Sequence, residues 1–338
     1  MHFINSADLV SQDWTFLQPF CLDRSISWEF HVGRPRTSME RIVRKPNLAR
    51  WRAAYQSARC AAREERSVLV SHLPRMSAAT NLFRKRFCPQ VPQIAFAFNF
   101  TDMPVKMDFR RLRSMLAGID EFIVFSQYER SLYSEYFGFQ PERFRFLHWA
   151  MEAPQPGPEN PVSGPDSYLC SIGGEGRDYR LLAEAMRALP DVAMVVVARP
   201  HSIRGINFPQ NVKVFTNLPA RQTWRIVQDS AGVVIPLRSD KTTCGHITIV
   251  GSMLLGRAMV ITDSLGVSDY VEDGVNAHLV PAGDTAAMIA AVQGLSHNSA
   301  AMRDLGARAS ARAREKHALS GWVSYFTEKS AEYEARLP

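Results

Sequence analysis

Apolar residues along this chain come in short blocks separated by longer amphipathic stretches. Val233-Val234-Ile235, closed by Pro236, and Ala258-Met259-Val260-Ile261-Thr262 have the length and composition of strands buried on both faces. Between them lie a polar loop from Arg238 to Thr243, then Cys244-Gly245, then a helical pattern from Ile247 to Leu255 stopped by Gly256. Strand, loop, helix and strand in that order predict a parallel crossover. The alternation recurs. Strands are predicted at Ser67–Ser71, Pro92–Phe98, Glu121–Phe125, Tyr168–Ile172, Val192–Ala198 and Val212–Phe215. Helices are predicted around Phe109–Leu116, from Arg180, and after Ser126, where Glu129 stands at capping-box spacing. Ile26–Val32 alternates and reads as a first strand, with no glycine-rich turn behind it. The class is therefore α/β, with parallel sheets covered by helices on both faces.

Ala153–Pro165 holds five prolines and two glycines in thirteen residues, a composition that sustains neither helix nor sheet. It predicts a linker over 153–166 between a domain at 1–152 and a second at 167–320, and 338 residues suffice for two cores. No apolar run approaches the length of a membrane span, and MHFINSADLV has neither a basic start nor an apolar centre. Five scattered cysteines without metal-ligand spacing predict reduced thiols in a cytoplasmic setting and no metal site.

Charge changes the picture more than composition does. Residues 1–152 carry 22 Lys and Arg against 15 Asp and Glu, while the remainder balances at 18 of each. Residues 34–66 alone carry ten basic and three acidic side chains. Leu48, Trp51, Tyr55, Ala58 and Ala62 recur there at helical spacing, with arginines beside them. Two readings follow: a helix packed on its own domain, or an anionic-membrane or acceptor face formed by Arg44, Lys45, Arg50, Trp51 and Arg52. The basic half has no nucleic-acid recognition motif, and nucleic acid is not an expected partner.

In parallel α/β units, ligands bind where loops leave the carboxyl ends of strands, and a helix N-terminus offers free N–H groups to an anion. Thr242, Thr243, Cys244, Gly245, His246 and Ile247 are thus the first candidates for holding a diphosphate. Gly173-Gly174-Glu175-Gly176 follows the Tyr168 strand and suits close approach of an anion. Arg199, just past the run Met194–Ala198, is a candidate cation. His72 and Asn99 follow buried strands in the first half, and Asp102 is the nearby carboxylate.

The segments CGHITIVGSMLLGRAMVIT, SLGVSDYVEDG and VNAHLVPAGD resemble the donor-binding half of GT-B glycosyltransferases. They are most similar to the large retaining, family 4-like group that builds bacterial polysaccharides and glycolipids. VFSQYERSLYSEYFGFQPERFRFLHWAME resembles the last unit of a GT-B acceptor domain. Gly321–Phe326 resembles the terminal helix that crosses back to the first domain, giving a last segment at 321–338. The resemblance implies two Rossmann-like domains facing across a cleft, with Arg177 contacting the diphosphate of a UDP- or GDP-sugar. It departs at one point. The family's two glutamates, eight residues apart, are missing, and Gly251 stands where the second, which holds the donor ribose, belongs. A related branch with Gly-Gln-Xaa-Thr in this loop lies closer to Gly245-His246-Ile247-Thr248.

The expectation is a cytoplasmic, metal-independent glycosyltransferase without cofactor, peripheral at the inner membrane, acting on a lipid-linked or saccharide acceptor. Gly173, Gly174 and Arg177 would line one side of the diphosphate and Thr243, Cys244, Gly245 and His246 the other, with His246 orienting the sugar. An inverting reaction needs a base, which Asp102 or His72 would supply; a retaining one, as the resemblance implies, needs none. A non-catalytic scaffold with the same fold is the second reading, motivated by the missing glutamates.

Overall fold

The computed structural model describes residues 1–8, 26–43, 46–163, 167–297 and 299–336. Two compact units result: residues 1–147 with 319–338, and residues 148–318.

The first unit contains β1 (His2–Ala7), β2 (Ser27–Val32), α1 (Ser38–Ile42), α2 (Leu48–Ala61), β3 (Ser67–His72), α3 (Pro74–Phe87), β4 (Gln93–Phe96), α4 (Lys106–Leu116), β5 (Glu121–Val124), α5 (Gln127–Phe137) and β6 (Phe144–Phe146). Its six-stranded sheet has the order β2-β1-β3-β4-β5-β6, and the pairings are parallel. β1 is an inner strand that periodicity does not predict. Half of its sequence is polar, and those polar groups are matched: Ser6 Oγ lies 2.9 Å from Thr80 Oγ1, and Asn5 Oδ1 lies 2.9 Å from His72 Nε2. Buried polar groups persist in a core when they find such partners.

The C-terminal helix Ser320–Glu334 also belongs to this unit. Buried Trp322 packs edge-on against Phe96 at 4.9 Å, and Phe326 meets Phe3 at 5.4 Å. Lys329 bridges Glu121 at 2.7 Å. Burial of each large ring contributes on the order of 2–3 kcal/mol.

The second unit contains β7 (Leu169–Ile172), α6 (Tyr179–Arg187), β8 (Met194–Ala198), β9 (Val212–Thr216), α7 (Ala220–Asp229), β10 (Gly232–Ile235), α8 (His246–Leu254), β11 (Met259–Thr262), β12 (His278–Val280), α9 (Thr285–His297) and α10 (Ser299–Lys316). Its parallel sheet runs β12-β11-β10-β7-β8-β9. The chain winds outward from β7 through β8 to β9, then returns to the other side of β7 with β10. This reversal is the topological switch point, where open α/β sheets hold their ligands.

The proline-rich segment, read as a linker, lies along the second unit over its described part. Gly157 N donates to Arg221 O at 2.8 Å, and Asn160 Nδ2 donates to Tyr168 Oη at 2.9 Å and Asp229 Oδ2 at 2.8 Å. Residues 164–166 lie outside the described residues.

Candidate active site

Two loops leave the switch point and are tied to one another. Asp178 N donates to Pro236 O at 2.8 Å, and Arg238 N donates to Gly176 O at 3.0 Å. Gly176, at φ +67°, has no room for a side chain, since a Cβ would come within 2.8 Å of Thr242 and 3.1 Å of Cys244. Glycine is required there by both backbone and space. Below the loop, Ser264 Oγ donates to Thr242 O at 2.8 Å, and Thr262 Oγ1 accepts from Leu237 N at 2.9 Å.

Arg177 is the centre of this arrangement. Its guanidinium is buried between Gly173 and Gly245 and donates to Ile172 O at 3.3 Å, Glu175 O at 3.2 Å and Thr248 Oγ1 at 3.1 Å. All three acceptors are uncharged. Among the described residues no carboxylate lies within ion-pair distance of it, and burial pulls its pKa below the ordinary arginine value. A buried cation whose hydrogen-bond acceptors are all neutral makes the surrounding space favourable to an anion. Beside it begins α8, whose cap residue Gly245 sits at φ +118° and supplies no side-chain hydrogen bond to the first turn. The amides of that turn add positive potential at the same place.

The structure thus brings Gly173, Arg177, Thr242, Thr243, Cys244, Gly245 and His246 together, and adds Thr248, whose bond to Arg177 no spacing rule announces. Three expectations change in detail. The Gly173 amide donates back into the sheet at Val197 O, 3.0 Å away, so this glycine permits close packing and does not itself present a donor. A Cβ there would sit 2.7 Å from Arg177 Nη2. Arg199 is 66% exposed, lies 3.8 Å from Glu175 Oε1, and covers Gly174 with its aliphatic stem.

His246 is the larger correction. Its ring turns into the domain, with Nε2 2.9 Å from Gly266 O and the ring centroid 4.7 Å from that of Tyr270. It is buried, not presented to a sugar. Ile247, its neighbour, is the exposed one at 44%. Tyr270 also stacks on His317 at 5.0 Å, and its hydroxyl accepts from Trp149 N at 2.7 Å.

Burial lowers the pKa of both His246 and His317 to about 4. The unfolded chain therefore binds more protons than the folded one between about pH 6.5 and 4, and stability falls as pH drops through that window. The cost approaches roughly 3 kcal/mol for each ring at pH 4. In the first unit burial raises Glu129 to about 7 and lowers His72 to about 3, shifts of opposite sign for stability between pH 4.5 and 6.5. Hydrogen exchange on acidification from pH 7 to 4.5 is thus expected to deprotect peptides over 246–254 well before those over 121–137. Equal loss in both would refute this assignment.

The first-unit candidates occupy three different environments. His72 ends β3, is 3% exposed, and lies edge-on to Phe96 at 5.5 Å, with Nε2 on Asn5. With its pKa near 3 it is too weak and too enclosed to act as the base expected of it. Asp102 is exposed. Asn99 is half-buried and donates from Nδ2 to Glu129 Oε1 at 2.5 Å.

Glu129 was legible only as a cap. It caps α5 together with Ser126, yet it is wholly buried and also accepts from Phe125 N at 2.9 Å and Tyr133 Oη at 3.1 Å. It holds Asn99 in place. Leu73 (φ 70°) and Ala97 (φ 52°) immediately follow β3 and β4. Non-glycine residues in this region cost energy, and such residues concentrate at functional edges.

The expected membrane face also changes. Arg50 Nε donates to Asp8 at 2.5 Å, Arg52 Nε donates to Glu40 at 2.7 Å, and Trp51 lies edge-on to Phe83 at 5.9 Å. These three anchor α2 within its own unit. Arg44 and Lys45 lie outside the described residues.

Gly251, in the middle of α8, explains the missing glutamate. A Cβ at this position would lie 2.2 Å from Trp224 Cη2 of α7, so the indole occupies the space that any side chain would need.

The sequence from 172 to 298 matches the family described as glycosyl transferases group 1. This part of the chain is similar to that family's domain. It includes the Arg177 site, the α8 N-terminus and Gly251. A search of curated protein sequences finds no match. Solved structures match over nearly the whole chain. Sucrose-phosphate synthase from Thermosynechococcus elongatus has a TM-score of 0.74 at 12% identity, covering 99% of this chain and 100% of that one. Anabaena Alr3699/HepE in complex with UDP-glucose has a TM-score of 0.70 at 11% identity, covering 100% of both. An α,α-trehalose-phosphate synthase (UDP-forming) from Burkholderia vietnamiensis has a TM-score of 0.68 at 13%, covering 98% and 100%. The fold is GT-B: two Rossmann-like units, each with a parallel sheet of six strands.

Proposed function

We propose that the chain is a glycosyltransferase that takes a sugar from a UDP- or GDP-sugar and delivers it to a lipid-linked or saccharide acceptor with retention of configuration. The observation that carries this reading is Arg177, buried without a carboxylate partner among the described residues, at the switch point of a domain similar to the glycosyl transferases group 1 family. Transfer builds negative charge on the departing diphosphate. A fixed cation and oriented amides aimed at that charge lower the barrier without reorganising during the reaction. Arg199, exposed beside Gly174 and 3.8 Å from Glu175 Oε1, supplies a second cation. Asn99, held by Glu129, is positioned to hydrogen-bond an acceptor hydroxyl in the first unit. Asp102 is the carboxylate that an inverting course would call upon.

Peripheral membrane attachment at the inner face belongs to the same proposal, carried by residues other than Trp51. Met39 and Ile42 on α1 are 65% and 79% exposed beside Arg36 and Arg41. Val105 and Met107, at the start of α4, are exposed beside Lys106, Arg110 and Arg111. Exposed apolar side chains among cations favour an anionic lipid surface. No helix among the described residues is long and apolar enough to cross a membrane.

The test is release of free nucleoside diphosphate from a panel of UDP- and GDP-sugars, with and without anionic vesicles carrying lipid-linked saccharides. Acceptor-dependent release from donors of one nucleotide is the expected result. Nucleotide binding with no release from any donor would favour the scaffold reading.

A further inference from the structure

Far along the first sheet from the loops after β3 and β4, three elements converge on a cluster of a different kind. His2 pairs with Ser27 and Ile4 with Glu29 in the β1–β2 register, so alternation along each strand puts His2, Glu29 and His31 on one face of the sheet. The same face carries Ile4, which packs with Ala58 and Ala61 of α2, and Cys60 lies in the last turn of that helix. The outcome is an imidazole, a carboxylate and a thiol whose ligand atoms all lie within 4.8 Å of one another.

The pairwise geometry is that of shared coordination. His2 Nε2 is 3.6 Å from Glu29 Oε2, and the Cys60 thiol donates to that same oxygen with Sγ at 3.1 Å. Metal–ligand bonds of about 2.0–2.3 Å in a tetrahedron put neighbouring ligand atoms roughly 3.3–3.7 Å apart. His2 Nδ1 lies 2.7 Å from Ser27 Oγ, a contact that fixes the ring with Nε2 toward the Glu29 carboxylate. On the far side of the carboxylate, His31 Nε2 stands 2.9 Å from Glu29 Oε1.

We propose that His2, Glu29 and Cys60 form a site for a borderline-soft divalent cation, zinc by ligand chemistry, that clamps the edge strand β2 and the end of α2 to β1. One nitrogen, one oxygen and one sulfur suit Zn²⁺ or Co²⁺ over Mg²⁺ or Ca²⁺, and a water completes the tetrahedron. Binding displaces the thiol proton to solvent, so affinity rises with pH. The ligands are 27 and 31 residues apart, and only the parallel register of β1 and β2 brings them together. The site lies wholly within the first unit, and the cation serves as a clamp with no part in sugar transfer.

The experiment is cobalt titration of the untagged, chelator-treated full chain, read by absorption. One equivalent of Co²⁺ is expected to give tetrahedral d–d bands and a near-ultraviolet thiolate-to-cobalt charge-transfer band, both removed by one equivalent of Zn²⁺. Cys60→Ser is expected to abolish the charge-transfer band, and His2→Gln to weaken binding at least tenfold. Unchanged far-ultraviolet circular dichroism shows that each variant folds. If Cys60→Ser perturbs the fold, His2→Gln alone decides. No stoichiometric binding, or a charge-transfer band that survives Cys60→Ser in a folded protein, would overturn the proposal.

Discussion

Gly251→Glu, the substitution that restores the family's second glutamate, is expected to destabilise the protein by about 3 kcal/mol or more instead of improving it. Glycine inside a helix costs about 1 kcal/mol relative to alanine, so its presence in α8 calls for a reason. The reason is Trp224, whose ring lies 2.2–2.9 Å from where the Cβ would be. Indole and glutamate are mutually exclusive here. Trp224 is half-buried, so Trp224→Ala alone is expected to cost less than the roughly 3–5 kcal/mol of a fully buried ring. The double variant is expected to be more stable than the sum of the single losses predicts, by about 2 kcal/mol. Urea denaturation of all four proteins gives the coupling directly. Additive losses would mean that α7 and α8 do not meet as described.

Arg177→Met is the second large effect. Methionine keeps much of the stem volume but removes a cation and three donated hydrogen bonds, to Ile172 O, Glu175 O and Thr248 Oγ1. Each acceptor left dry costs about 1–3 kcal/mol, partly offset by no longer burying a charge. The effect on a bound diphosphate has no such offset. Loss of a buried charge contact to an anion costs 2 kcal/mol or more, so affinity for a nucleoside diphosphate is expected to fall at least thirtyfold. Arg177→Lys is expected to recover only part of it, because a point charge cannot reach three acceptors and a phosphate together. Calorimetric titration on folded variants measures this. Unchanged affinity in Arg177→Met would remove Arg177 from the site.

Both effects come from places where the sequence is informative about position and silent about partners. Buried runs such as Met194–Ala198 and Val233–Ile235 announce parallel strands because both faces are covered. The glycine loop at 173–176 and the start of α8 announce an anion site because topology and helix termini converge there. β1 escapes, since its core-facing Asn5 and Ser6 are paid for by partners 67 and 74 residues away. His246 is misread for a related reason: a histidine at a helix start looks exposed until Gly266 O and Tyr270 take up its ring. Glu129 looks like a cap because the cap is local, whereas its bond to Asn99 spans thirty residues. Trp224 and Gly251 lie on successive helices, and nothing in either pattern says that they touch. Periodicity reports which residues are buried, and only packing reports against what.

The nucleotide-diphosphate site around Arg177 is put to the test by thermal unfolding of the wild-type full chain with UDP, GDP and their sugars at saturating concentration. A ligand that binds only the folded state at a hundred times its dissociation constant adds about 2.7 kcal/mol. Stabilisation of that size by one nucleotide family, lost in folded Arg177→Met, is the expected result. No stabilisation by any nucleotide, or the same stabilisation in Arg177→Met, would contradict it.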